Sequence, residues 1–257
     1  MYPVFVINLD RSKDRWETML KTFPLDNLQR IRAVDGRQWE LGGKTDDTGR
    51  VLWDPEKVTM LKDLGVLGDH PIYSIGGTNP LWPGVPCDLG CTLSHAKIWR
   101  KIYQEQIPWA VILEDDTEPT EFVANRRLWD VLRYMIPMGA DVVLLSGHQE
   151  GTNSRELDRD GQFIGGFGTE GYAISWRGAE VALHAEFPMY ETLDRQWFKR
   201  GFLSCLMKNQ IPLPPVPYKV RAYGLREPII RISAVGDTTT FSHTGNKEWH
   251  LQKGKDQ

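Results

Sequence analysis

Short unbroken apolar runs alternate with stretches of helical period through the first half of this chain. Val4-Phe5-Val6-Ile7, residues 108–113 and Val142-Val143-Leu144-Leu145 each have the length and content of a strand buried on both faces. Between the first two, Trp16, Met19, Leu20 and Phe23 recur at i, i+3, i+4 and i+7, which predicts an amphipathic helix capped by Ser12. A second strand is expected from Gln29 to Val34, closing at the Asp35-Gly36 turn. Asp54-Pro55 opens a short helix reaching Leu64, with Asp as cap and Pro in the first turn. Thr92 to Glu105 reads as a helix, and a long helix is predicted from Pro119 through Ile136. Phe163 to Ser175 has a Gly-rich extended character, and Gly178 to Phe187 a helical one. The Pro-rich residues 211–217 are excluded from any central strand. Gly65 to Gly90, dense in Gly and Pro, is expected to be a long substrate-facing excursion. Alternating strands and helices predict an α/β fold with a largely parallel sheet over residues 1–150.

Composition narrows the possible partners. The chain has 257 residues, enough for one large α/β domain, and its formal net charge of -3 argues against nucleic acid or an anionic membrane as the main partner. No apolar run has the length of a membrane span and no leader pattern opens the chain, so a cytoplasmic location with at most peripheral membrane association is expected. Cys87, Cys91 and Cys205 are too few for a disulfide framework. Cys87 and Cys91 lack the second Cys or His pair that would complete a zinc site, so reduced thiols are the expectation.

The strand at 108–113 runs into Glu114-Asp115-Asp116. Adjacent carboxylates repel one another and are costly to desolvate, a cost that a hard divalent cation reverses. At the carboxyl end of an α/β strand, such a cluster points to a metal holding a phosphorylated ligand, whereas an isolated one reads as a solvated acidic loop. Other segments carry polar chemistry in similar places. Asn8, Asp10 and Arg11 end the first strand and Arg15 lies one turn into the following helix, placed to meet a base, ribose or phosphate. Val34 and Asp35 precede a Gly turn, with Asp35 able to accept from a nucleotide or simply to shape the turn. Gly90 to His95 reads as a Gly-containing loop entering a helix, whose N–H groups, Ser94 and His95 would face a phosphate. Glu170 lies in the Gly-rich segment, and Glu191 and Asp194 stand near Trp197.

In this order the segments resemble glycosyltransferase family 25, the group of bacterial lipopolysaccharide β-galactosyltransferases and collagen hydroxylysine galactosyltransferases. The resemblance is carried by Val6 to Ser12 with Arg15, Ala33 to Gly36, Gly90 to His95 with Trp99, Pro108 to Asp116, and Gly168 to Ser175 with Gly178-Ala179. It implies a GT-A-like single domain with a Rossmann-like sheet over 1–243, followed by a polar tail at 244–257. Residues 1–150 would form the nucleotide-sugar half and 151–243 the acceptor half. It further implies a UDP-sugar donor (galactose foremost), Mn²⁺ or Mg²⁺, and inverting transfer to a glycan, lipopolysaccharide or hydroxylated protein. Asp116 would be the principal metal ligand, with Glu114 shared between metal and nucleotide and Asp115 beside them. Apart from the resemblance, Asp194, three residues before Trp197, reads either as the general base or as a helix cap or ion-pair partner of Arg195 or Arg200, with Glu191 and Glu170 as substitute bases. A catalytically silent nucleotide- or sugar-binding protein, and a metal-dependent phosphohydrolase or nucleotidyltransferase, stay open as other classes. The long Gly/Pro loop and the missing basic tail depart from many family members.

Overall fold

A computed structural model describes residues 2–36, 42–45, 51–66, 86–146, 156–157, 163–165, 169–187, 189, 193, 220–225 and 227–233. In chain order the elements are β1 (Val4–Asn8), α1 (Lys13–Thr22), β2 (Leu28–Arg32), β3 (Gly42–Thr45), β4 (Val51–Trp53) and α2 (Pro55–Asp63). They continue with α3 (Pro86–Gln104), β5 (Trp109–Glu114), β6 (Thr117–Pro119), α4 (Leu128–Leu132) and β7 (Val142–Leu144). The remainder are β8 (Glu156–Leu157), β9 (Phe163–Gly165), β10 (Gly171–Ser175), α5 (Trp176–Glu186), β11 (Ala222–Gly224) and β12 (Ile230–Ile232).

A six-stranded sheet in the order β11-β7-β10-β5-β1-β2 organises the molecule. β1 is parallel to β2 and to β5, with Val4 opposite Leu28 on one side and Val111 on the other. β11 is parallel to β7. The expected parallel α/β sheet is therefore present, with one antiparallel insertion: β10 runs against both β5 and β7. Strands from residues 1–150 and from beyond them thus share one sheet.

Alternation along the strands separates two apolar layers. Phe5, Ile7, Ala110, Ile112, Tyr172 and Ile174 face α3 and α5, where they meet Ile98, Trp99, Ile102, Ala179 and Ala182. Val4, Val6, Val111, Leu113, Val143 and Ala173 face the other way, onto Met19 and Phe23 at α1 and Leu128 and Leu132 of α4. Continuous apolar runs were needed because these central strands are covered on both sides.

Three expectations are corrected. The helix predicted from Pro119 to Ile136 is a strand, a turn and one short helix. β6 pairs antiparallel with β12, and Thr120 is fixed by its N–H to Ile229 O and its hydroxyl to Pro228 O. Asn125 at φ 64° then breaks any helical continuation before α4. α3 begins at Pro86 rather than Thr92, so the end of the presumed Gly/Pro loop is helical, while residues 67–85 lie outside the described residues. Ser12 occupies the N-cap position of α1 without a side-chain cap bond. Asp54, by contrast, caps α2 as expected by accepting from Glu56 N.

α4 is capped from a distance. Asp26 Oδ1 accepts from Leu128 N at 3.0 Å, and Arg127 at the N-cap position gives no side-chain bond. Burial pushes the Asp26 carboxyl up to about 6, against the opposing effect of the Leu128 bond. The folded chain therefore holds this proton more tightly than the unfolded one, and Asp26's contribution to stability declines as pH rises from about 4 to about 6. Asp26→Asn removes that decline, so its melting temperature should rise relative to wild type between about pH 4 and pH 7. An offset constant with pH would show that Asp26 titrates normally.

Candidate active site

The carboxyl ends of β1, β2 and β5 lie side by side, and the antiparallel β10 brings its own entry to the same rim. Asn8, the last residue of β1, is buried and works as a hub. Its amide donates to Ser12 O at 2.9 Å and to Asp115 Oδ2 at 2.6 Å, and its carbonyl accepts from Arg30 Nε at 2.6 Å. Arg15 Nη1 donates to Asp115 Oδ1 at 2.7 Å and stands 3.8 Å from Asp116 Oδ2. Asp115 thus ties α1 and β1 to the end of β5. The sequence placed Asn8, Arg15 and Asp115 against a nucleotide; in the structure Asn8 and Arg15 both bond Asp115. Asp10 bonds Arg30 and Arg32 at 2.9 and 2.6 Å. Arg11 pairs with Asp35, joining the loop after β1 to the turn after β2.

Asp116 differs from its neighbour. Its side chain is 10% exposed, and among described residues its nearest cation is Arg15 at 3.8 Å. Burial, and next the Glu114 charge, push its carboxyl up to about 7, with Arg15 opposing and Asp115 adding. The backbone here is fixed: Ser233 N donates to Asp116 O at 2.7 Å, Glu114 N to Glu170 O at 2.8 Å, and Thr117 Oγ1 to Glu114 O at 2.9 Å. A carboxyl held rigidly, nearly dry and short of compensating charge fits a hard divalent cation. Glu114, with 24% of its side chain exposed, stands beside it as a second oxygen donor.

The helix-entry expectation for Gly90 to His95 is corrected. These residues lie inside α3, where backbone N–H groups are committed to the helix. Ser94 is buried; its hydroxyl donates to Gly90 O at 2.6 Å and accepts from Val34 N at 2.8 Å. It therefore holds the Val34-Asp35-Gly36 turn instead of meeting solvent. Gly90 is required there because a Cβ would come within 2.7 Å of Val34 O and 2.8 Å of Gly36 N. His95 is also fully buried, beneath Glu114: its Nδ1 shares a hydrogen bond with Tyr172 Oη at 2.8 Å, and its Nε2 lies 3.5 Å from Glu114 Oε1. Burial lowers its pKa to about 3, so the ring is neutral. Trp99 Nε1 donates to the same phenol oxygen at 2.9 Å.

Of the candidate bases, Glu170 is at this rim. It is buried and accepts from Ser146 Oγ at the end of β7. Its neighbour Thr169 has its hydroxyl 3.5 Å from Glu114 Oε1. Asp194 and Glu191 lie outside the described residues, although Leu193 is buried in the cluster that holds Trp99 and Tyr172. Sequence reasoning missed Ser146, Thr169 and Tyr172. Ser146 closes an apolar strand just as Glu114 does, and that shared position was the usable signal.

Residues 86–123, which span α3, β5 and the acidic cluster, match the family described as glycosyltransferase family 25 (LPS biosynthesis protein). Procollagen galactosyltransferase 1 of Danio rerio is 28% identical over 198 residues, covering 71% of this chain and 28% of that protein. Procollagen galactosyltransferase 1-A of Xenopus laevis is 30% identical over 198 residues, with the same coverage of 71% and 28%. A glycosyltransferase 25 family member of Anopheles gambiae is 26% identical over 197 residues. The chain spans less than a third of the length of these curated relatives. A solved glycosyltransferase involved in glycosylation of the major capsid of PBCV-1 aligns over 92% of this chain and 94% of that one, at TM-score 0.42 and 6% identity. That likeness is too distant to carry the fold, which stands on the sheet order and register above. The matched segment contains α3, β5 and Glu114-Asp115-Asp116, and together with these relatives it supports an assignment to glycosyltransferase family 25.

Proposed function

We propose that this chain transfers a hexose, galactose foremost, from a UDP-sugar to a hydroxyl of a glycoconjugate, with inversion at the anomeric carbon. The observation that carries the reading is the acidic group at the end of β5, where Asp116 is dry, rigid and short of positive charge. Asp116 and Glu114 would hold Mn²⁺ or Mg²⁺, which when bound offsets negative charge on the departing diphosphate. Arg15 keeps Asp115 out of that role and limits the negative charge of the cluster. The Val34-Asp35 turn, locked by Ser94 and by the Arg11 pair, offers a fixed edge for the base and ribose. A carboxylate must take the acceptor proton as the hydroxyl attacks, and we assign this to Asp194, with Glu191 and Glu170 as substitutes. The relatives' names favour a hydroxylated collagen-like chain as acceptor, and the family description a lipopolysaccharide. Both present a hydroxyl.

Purified chain with a panel of UDP-sugars is the test. Mn²⁺-dependent UDP release, fastest from UDP-galactose and accompanied by a donor-dependent rise in melting temperature, is expected. Asp194→Asn should lower UDP release without changing UDP affinity or melting temperature. A melting shift without UDP release would identify a silent binder, and release of inorganic phosphate or nucleoside monophosphate a phosphohydrolase.

A further inference from the structure

Cys91 and His95 are four residues apart on α3, and Glu114 ends the strand that α3 overlies. One ligating atom from each lies within 4.8 Å of the others. We propose that Cys91, His95 and Glu114 form a binding site for a borderline divalent cation of the zinc class, which shares the Glu114 carboxylate with the harder oxygen site at Asp116. The inference does not depend on the transferase reading.

Spacing supplies the first support. Residues at i and i+4 share a helix face, the arrangement by which one helix offers two donors to one ion. His95 supplies a second, independent support. It is fully buried, its Nδ1 is taken by Tyr172, and its Nε2 has no hydrogen-bond partner while lying 3.5 Å from Glu114 Oε1. An orphaned ring nitrogen costs free energy in a dry site, and a cation removes that cost. Zinc bonds to nitrogen and oxygen of about 2.0–2.1 Å at tetrahedral angles set such atoms roughly 3.4 Å apart, so the His95–Glu114 pair already spans one edge of the site. The Cys91 thiol, half-buried at the edge of the core, completes a third position. A phenol bonded to the other ring nitrogen is the kind of outer partner that fixes a metal-ligating imidazole. The donor set of sulfur, nitrogen and one carboxylate oxygen selects zinc or cobalt over Mn²⁺ or Mg²⁺. No second Cys or His pair accompanies Cys91 and Cys87 in the sequence; the third donor comes from β5 instead.

Cobalt(II) is the probe, titrated into the chelator-treated full chain. A stoichiometric thiolate-to-cobalt charge-transfer band in the near ultraviolet, together with tetrahedral bands in the visible and bleached by added zinc, is expected. Cys91→Ser should abolish the ultraviolet band, whereas Cys87→Ser and Cys205→Ser keep it. Glu114→Gln should weaken cobalt binding about tenfold or more, a readout from a different element should Cys91→Ser fold poorly. Absence of the band in the wild-type chain would overturn the site, leaving His95 as a hydrogen-bonding support for Glu114. Persistence of the band in Cys91→Ser, or unchanged affinity in Glu114→Gln, would overturn it as well.

Discussion

Asp116→Asn is expected to lower UDP-galactose turnover by about 100-fold or more at subsaturating Mn²⁺, and at the same time to make the metal-free protein more stable. Both effects come from the same carboxyl. Burial and the Glu114 charge lift its pKa from the ordinary 3.8 to about 7. A group whose folded pKa is raised loses its stabilising contribution as pH climbs from the unfolded value through the folded one, here from about 4 to about 7. Above that range the ionised carboxyl costs on the order of 2–4 kcal/mol. An amide at this position does not ionise and avoids the cost. It is also a poor ligand for a hard cation. The variant should therefore melt above wild type at about pH 8 without metal, and near it at about pH 4. Added Mn²⁺ should narrow the gap by raising the wild type alone. Wild-type turnover in the variant would remove Asp116 from the metal site. A lower melting temperature at high pH would show that its charge is compensated.

Gly90→Ala reverses the usual rule for helices. Inside a solvated helix this substitution gains about 1 kcal/mol from propensity. Here the added Cβ meets Val34 O at 2.7 Å and Gly36 N and Cα at 2.8 and 3.1 Å. All three are backbone atoms, so no rotamer change relieves the clash. Either α3 lifts from the turn, breaking the Ser94–Val34 bond, or the turn itself moves. We expect a loss of about 1–3 kcal/mol or more and a weaker UDP affinity, because Asp35 moves with the turn. Denaturant unfolding and UDP titration of the variant check both. A variant more stable than wild type would mean that α3 and the turn do not touch.

The two apolar strands β1 and β5 were legible because Val4 to Ile7 and Val111 to Leu113 leave no polar face, and only a doubly covered strand accepts that pattern. The acidic group was legible for the same reason: carboxylates directly after such a strand must lie at the sheet's carboxyl rim. What the site residues bond to was not legible. Asn8 and Asp115 meet across 107 positions of sequence, and nothing local to either marks the pairing. Gly90, Ser94 and His95 looked like a ligand-facing loop because a glycine needed for close backbone approach has the same letter as one needed for a turn. Pro119 looked like a helix start, yet β12 recruits its neighbourhood into a ladder, and tertiary pairing outweighs local propensity. The direction of β10 is set by its partners alone.

That strand's position has a consequence for how the protein is made. β10 fills the place between β5 and β7, pairing Leu113 with Gly171 and Leu144 with Tyr172. While the chain emerges from the ribosome, both strands wait with open apolar edges until the segment carrying β10 has been synthesised. Exposed edges of this kind seed aggregation, and closing them needs contacts between distant parts of the chain, which form slowly. A fragment ending at residue 150 keeps the acidic rim and loses the strand that seals it, so expressing the presumed nucleotide half alone should give insoluble protein.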